Sequence, residues 1–163
     1  MTGRVISFLV AIAMLCNSSG ILAQETNQAP DEEFFVTGAW SDPSECNQKV
    51  ARAVSFDTLM ADYITLRGER VRVEGYWKGR ALFGSAQPAR ARRAVISDHL
   101  RSKRLGIYAQ WEKVGGPPER PRRTTFIGIV GDCETQWPGA TMVMGYCHYT
   151  GGPILLVSEA VSR

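Results

Sequence analysis

The chain has 163 residues, of which 44% are hydrophobic and 21% charged, with a formal net charge of +3. These are ordinary values for a globular protein and exclude wholesale disorder. The small net charge conceals an uneven distribution: residues 24–77 hold five basic and ten acidic side chains, residues 78–123 twelve and three, and residues 124–163 one and three. A basic middle bears on partners and association rather than on fold.

The first residues read as targeting sequence. Arg4 supplies a positive start, and Val5 to Leu15 is an apolar run that ends at Asn17-Ser18-Ser19-Gly20. A run of this length suits a signal-peptide core, whereas a membrane-spanning helix needs about 20 apolar residues. Cleavage is expected after Ala23, with Gly20 as the alternative, giving a signal peptide at residues 1–23. Leu15 stands before Cys16 where a bacterial lipoprotein signal needs a small residue, so lipid anchoring is not expected. No later stretch is long and apolar enough to span a bilayer. Residues 24–33 are polar and acidic and read as a flexible tail, which leaves residues 34–163 as a single domain.

Phe34 to Trp40 is short and apolar, suited to a strand that docks on the domain. Asp42-Pro43-Ser44-Glu45 carries the signals of a helix start, with Cys46, Val50 and Ala53 following at helical spacing. Ser55 predicts the cap of a second helix whose apolar stripe is Phe56, Leu59, Met60, Tyr63 and Leu66, stopped at Gly68. The next stretch, Arg70-Val71-Arg72-Val73-Glu74, alternates strictly and predicts a half-buried strand. Gly75 within it suggests a bulge or bend. Lys78-Gly79 reads as a tight turn and Arg80 to Gly84 as the second strand of a hairpin.

Gln87 to Arg93 reads as a polar connection, Ala94 to Ser97 and Leu105 to Gln110 as β-like, and Asp98 to Arg104 as a basic segment between them. Glu112 to Arg123, with Gly115-Gly116-Pro117-Pro118 and Pro121, reads as a long mobile loop. Thr124 to Val130 is rich in β-branched residues and predicts a central strand. A short strand is expected at Met142 to Tyr146, and the final strand at Ile154 to Val161, entered through Pro153.

A small helix, a glycine, a Val-Arg-Val-Glu-Gly strand, a hairpin, and a last strand entered through Gly151-Gly152-Pro153 resemble an OB-fold. The chain is similar to a loose group of bacterial exported OB-fold proteins over Ser55 to Leu59, Leu66 to Tyr76 and Gly145 to Pro153. The resemblance implies a mainly β domain: a small five-stranded Greek-key barrel with one or two short N-terminal helices. It implies no reaction, because one such scaffold carries many unrelated functions.

The chain contains no phosphate-binding loop, dinucleotide fingerprint, zinc-protease motif or serine-hydrolase elbow. Asp98-His99 and Cys147-His148 are sequence neighbours, and adjacent residues do not assemble a proton-transfer pair or a metal chelate readily. No catalytic residue, metal or cofactor is expected. Removal of the signal leaves Cys46, Cys133 and Cys147. Cys133 and Cys147 flank the loop before the last strand and are the expected disulfide, with a bond from Cys46 to either as the alternative.

What remains is binding. OB-folds bind on the outer face of strands 2 and 3, framed by the loops between strands 1 and 2 and strands 4 and 5. That geography predicts a ligand site from Tyr76, Trp77, Arg80, Arg90, Arg92, Arg93, Tyr108, Trp111, Trp137, His148 and Tyr149. Aromatic rings beside guanidinium groups suit an anionic envelope glycan, a lipid head group or an acidic protein. An export signal takes the chain away from chromosomes and ribosomes, so nucleic acid is not the expected partner. The alternative is a structural module in which the acidic and basic segments pair between copies into a homo-oligomer.

Overall fold

The computed structural model describes residues 34–35, 40–133, 143–144 and 146–162, with backbone only at 34, 35, 143, 144, 146, 148 and 162. The signal peptide, the acidic tail and Trp137 therefore lie outside the described residues. Arg70–Lys78 (β3), Ala81–Phe83 (β4), Arg104–Tyr108 (β5), Arg122–Asp132 (β6) and Pro153–Ser162 (β8) form a closed barrel. The hydrogen-bonded order is β3-β4-β5-β8-β6, and β6 pairs back onto β3. The β5–β8 pair is parallel, while β3–β4, β4–β5, β6–β8 and β3–β6 are antiparallel. Arg52–Ala53 (β2) adds one strand parallel to β3. Phe34–Phe35 (β1) pairs with Val143–Met144 (β7) in a separate two-stranded ladder.

Alternation decides what the barrel encloses. In β3, Val71, Val73 and Trp77 point inward and are fully buried, while Arg70 and Arg72 are exposed. They meet Leu82 of β4, Leu105 and Ile107 of β5, Phe126 and Val130 of β6, and Leu155 and Val157 of β8 in the barrel core. Phe56–Leu66 (α1) closes one end, adding Leu59 and Leu66 to that core with Phe56, Met60 and Tyr63 against it. The expected cap is present: the Ser55 hydroxyl accepts from the Thr58 N–H at 3.0 Å. Gly68, at φ 83°, ends the turn, and its N–H donates to the Val130 carbonyl at 2.8 Å.

Several local expectations change. Asp42 to Val50 forms consecutive turns rather than a helix, so α1 is the sole helix ahead of the barrel among the described residues. The Asp42 carboxylate accepts from both the N–H and the hydroxyl of Ser44, each at 2.8 Å. Those bonds, the backbone one first, hold its carboxyl below the usual carboxylate range. Gly75 causes no bulge, since β3 pairs with β6 without a register shift from Arg70 to Trp77. A Cβ there would lie 2.6 Å from the Phe83 carbonyl oxygen, so glycine is required by the close approach of β4. The bulge lies instead between β6 and β8, where Ile127 faces Glu159, Gly128 faces Val157, and Ser158 is left over. Its hydroxyl donates to the Ile127 carbonyl at 3.1 Å.

The remaining changes concern the connections. Ala86–Arg90 is a short helix (α2) inside the expected polar link, and residues 92–96 are turn rather than strand. Asp98–Lys103 is a 3-10 helix, and Trp111–Val114 is a third short helix (α3) at the start of the expected long loop. Cys133 and Cys147 are paired as a disulfide with Cα atoms 5.5 Å apart, while Cys46 is free and buried. No helix among the described residues is long and apolar enough to cross a membrane.

Candidate functional site

The outer face of β4 and β5, expected to receive the ligand, is covered by the chain itself. Ala81 and Phe83 project outward from β4, Tyr108 from β5, and Ile154 and Leu156 from β8, and all are buried. Residues 84–103 cross this face on their way from β4 to β5. They contribute Ala89, Ala94 and Leu100 to a second hydrophobic core, and the Cys147 turn completes it. The barrel therefore has apolar packing on both sides of β4 and β5, whose residues are buried without exception.

Three contacts pin this cover down. The Lys78 ammonium donates to the Ala91 carbonyl at 3.2 Å, and Arg101 Nε donates to the Thr150 carbonyl at 2.6 Å. Arg104, fully buried on the outer side of β5, is the third. Its Nη1 donates to the carbonyls of Ala94 at 2.9 Å and Ser97 at 2.8 Å. Its Nε donates to the Tyr149 carbonyl at 2.6 Å, joined by Nη2 on the same oxygen. One guanidinium thus ties the 92–97 turn to the Tyr146–Tyr149 turn. A planar fork of donors suits this role, and a lysine ammonium does not reproduce it.

The predicted site residues separate into four groups. Trp77 and Tyr108 are core side chains at 0% and 2% exposure, unavailable to a ligand. The Trp77 indole N–H donates to the Gly79 carbonyl at 2.7 Å, and the Tyr108 hydroxyl accepts from the Cys147 N–H at 2.8 Å. Tyr76 is partly buried against the second core. Arg80 and Trp111 meet at the barrel end near the β3–β4 turn, with the guanidinium carbon 5.8 Å from the ring centre. There Arg122, which the sequence reading passed over, lies 4.9 Å above the buried Trp77 ring. Arg90, Arg92 and Arg93 are exposed on the outside of the cover, and Tyr149 borders them at 39% exposure. The fourth group falls outside what is described: Trp137 entirely, and the His148 side chain.

Five of the twelve basic residues of the 78–123 segment stand on the cover. Arg90, Arg92, Arg93, Arg101 and Lys103 are all exposed there, against the single acid Asp98. The ion pairs among the described residues lie elsewhere, Arg67 with Asp132 at 3.5 Å and Arg123 with Glu74. Two open grooves, each of about 400 Å³, lie on the described surface, one of them at the edge of the cover. One lies between α1 and the cover, lined by Phe56, Asp57, Met60, Pro88, Ser102 and Lys103. The other lies on the outer side of β3 and β6, lined by Val54, Arg72, Glu74, Thr125, Ile127 and Val161. Among the described residues no group of three or more His, Cys, Asp or Glu side chains is placed to hold a metal ion.

These features define a closed five-stranded barrel with one extra strand and a cationic cover over one face. No protein-family profile, curated protein or solved structure matches the chain.

Proposed function

We propose that this protein is an exported, non-catalytic binding module built on an OB-type barrel, and that its partner is anionic. Counting barrel strands alone, the order 1-2-3-5-4-1 with a parallel 3–5 pair supports the OB-type reading. The binding surface in this reading is the outside of the cover, not the strand face beneath it. The observation that carries it is five exposed cations on one connection against a single acid, with none of them in an ion pair among the described residues. Keeping like charges together on a tethered surface is unfavourable unless a partner neutralises them.

Export accounts for the disulfide, which persists in oxidising compartments. Secreted protein then begins near Gln24, which intact-mass measurement checks. The binding test uses three anionic probes: polygalacturonate, polyglutamate, and vesicles containing phosphatidylglycerol. Binding to at least one, weakening as salt rises, supports the reading. The triple substitution Arg90→Glu, Arg92→Glu and Arg93→Glu is expected to abolish it while leaving the melting temperature in place. Absence of binding to all three probes at low salt overturns it, and salt-sensitive self-association in that case supports the assembly module instead.

A further inference from the structure

The summit of the cover is not uniformly polar. Ile96 stands 37% exposed three residues after Arg93, on a turn closed by the Ile96 and Ser97 N–H groups on the Arg93 carbonyl at 3.0 and 2.9 Å. Arg93 itself has φ 57°, the only positive φ of a non-glycine residue among those described. That conformation is unfavourable for an L-residue and persists where the surrounding structure imposes it. Tyr149 stands beside this turn, because the carbonyls of Ala94, Ser97 and Tyr149 all bind the buried Arg104 guanidinium. An aliphatic and an aromatic side chain, 37% and 39% exposed, therefore stand on two turns braced together, one of them in the segment that also carries Arg92, Arg93 and Arg101.

We propose that this surface docks on an anionic lipid bilayer, with Ile96 and Tyr149 entering the interfacial layer and Arg92, Arg93 and Arg101 on the head groups. The inference rests on the anionic-partner reading above and narrows it. A dissolved polyanion engages the cations alone and makes no use of Ile96 and Tyr149. A bilayer uses both, since apolar and aromatic groups partition at the head-group level while lysine and arginine meet the negative surface potential. Attachment is peripheral, consistent with the lack of a spanning helix among the described residues.

The test is flotation of the mature protein with vesicles of phosphatidylcholine alone or mixed with phosphatidylglycerol, alongside polygalacturonate as a soluble anion. Of the two kinds of vesicle, wild type is expected to bind only the mixed one. The triple Arg→Glu variant, which reverses Arg92 and Arg93 of the proposed contact, is expected to lose vesicle partition at least about twenty-fivefold, at about fivefold for each cation removed from a charged surface. Ile96→Ser is expected to lose vesicle partition roughly fivefold while binding polygalacturonate as before. Ile96→Trp is expected to raise partition and to show a blue-shifted, lipid-quenchable emission, which decides the matter should Ile96→Ser unfold. Binding to polygalacturonate but not to mixed vesicles overturns the bilayer inference and leaves the anionic-partner reading standing. Vesicle binding indifferent to both Ile96 substitutions also overturns it.

Discussion

Arg104 offers the most direct test of how the cover is held. Replacing it with Met keeps much of the volume and removes the donors to Ala94, Ser97 and Tyr149. A hydrophobic isostere of a buried ion can be neutral when its partners are replaced too, but here the carbonyls remain and lose a charged donor. Three buried carbonyls left without their donor, at about 1–3 kcal/mol each, put the cost at about 3–5 kcal/mol once the relieved desolvation of the guanidinium is set against it. Against a total stability of about 5–15 kcal/mol, that is a large share. At about 3–5 °C per kcal/mol for a domain of this size, the melting temperature should fall by about 10–20 °C.

Chemical denaturation and calorimetry measure the loss, and hydrogen exchange locates it. Amides of residues 92–103 should lose protection well before those of β6. Arg104→Lys keeps the charge without the fork and should recover only part of the loss. A loss below about 1 kcal/mol in Arg104→Met, where buried groups left unpaired cost about 1–3 each, would refute the assignment of Arg104 as the clamp. So would uniform loss of protection across the barrel.

Removing the Cys133–Cys147 bond, which closes a separation of 14 residues, should cost about 3 kcal/mol, read as a shift in denaturation midpoint with and without reductant. An unchanged midpoint contradicts a structural role for the bond. Gly75→Ala places a methyl 2.6 Å from the Phe83 carbonyl oxygen and 2.8 Å from Leu82 Cγ, and should destabilise by about 1–3 kcal/mol. A neutral result means that the β3–β4 hairpin opens at no cost. Trp77→Ala should cost about 3–5 kcal/mol as a core truncation, and the half-buried Trp111→Ala much less. The opposite order of melting temperatures would reverse their assignments.

The barrel was legible because its signals are local. Ser55, the apolar stripe of α1 and Gly68 lie within one short segment, and β3 repeats its alternation over several residues. The disulfide followed from where Cys133 and Cys147 flank a loop. Long-range packing decided the rest. Asp42 and Pro43 satisfy the rules for a helix start, yet of the expected stripe only Cys46 is buried, with Val50 at 55% exposure and Ala53 exposed, too little apolar contact to hold a short helix. The turn bonds from Ser44 to Asp42 satisfy the same groups that a helix cap would. Arg104 stands in Arg101-Ser102-Lys103-Arg104, and no local feature separates the buried arginine from its exposed neighbours.

The covered face did leave a signal. Ala81-Leu82-Phe83 is apolar at every position, whereas a strand with one wet face alternates. Leu105-Gly106-Ile107-Tyr108 repeats the pattern. Two neighbouring strands without a polar face require packing on both sides, and in a barrel the outer packing must come from elsewhere in the chain. What covers that face is Ala89, Ala94, Leu100 and Cys147, single residues from separate turns and short helices, so no one stretch announces it.

The cover itself divides these tasks residue by residue. Within Ala89-Arg90-Ala91-Arg92-Arg93-Ala94, Ala89 and Ala94 are fully buried and Ala91 is partly buried, while all three arginines are exposed. Alanine brings the connection close to the strand face, where a larger side chain would force it away. The arginines between them then face solvent without leaving the packed segment. Charge is therefore displayed from a surface whose position is set by burial and by the Arg104 clamp. Stability resides in the buried alanines and Arg104, and the proposed recognition in the exposed Arg90, Arg92 and Arg93. Enlarging Ala89 should unseat the arginines and lower the melting temperature together, whereas reversing the arginines should alter binding alone. Joint loss in the Ala89 variant with unaltered binding in the arginine variant would refute the division.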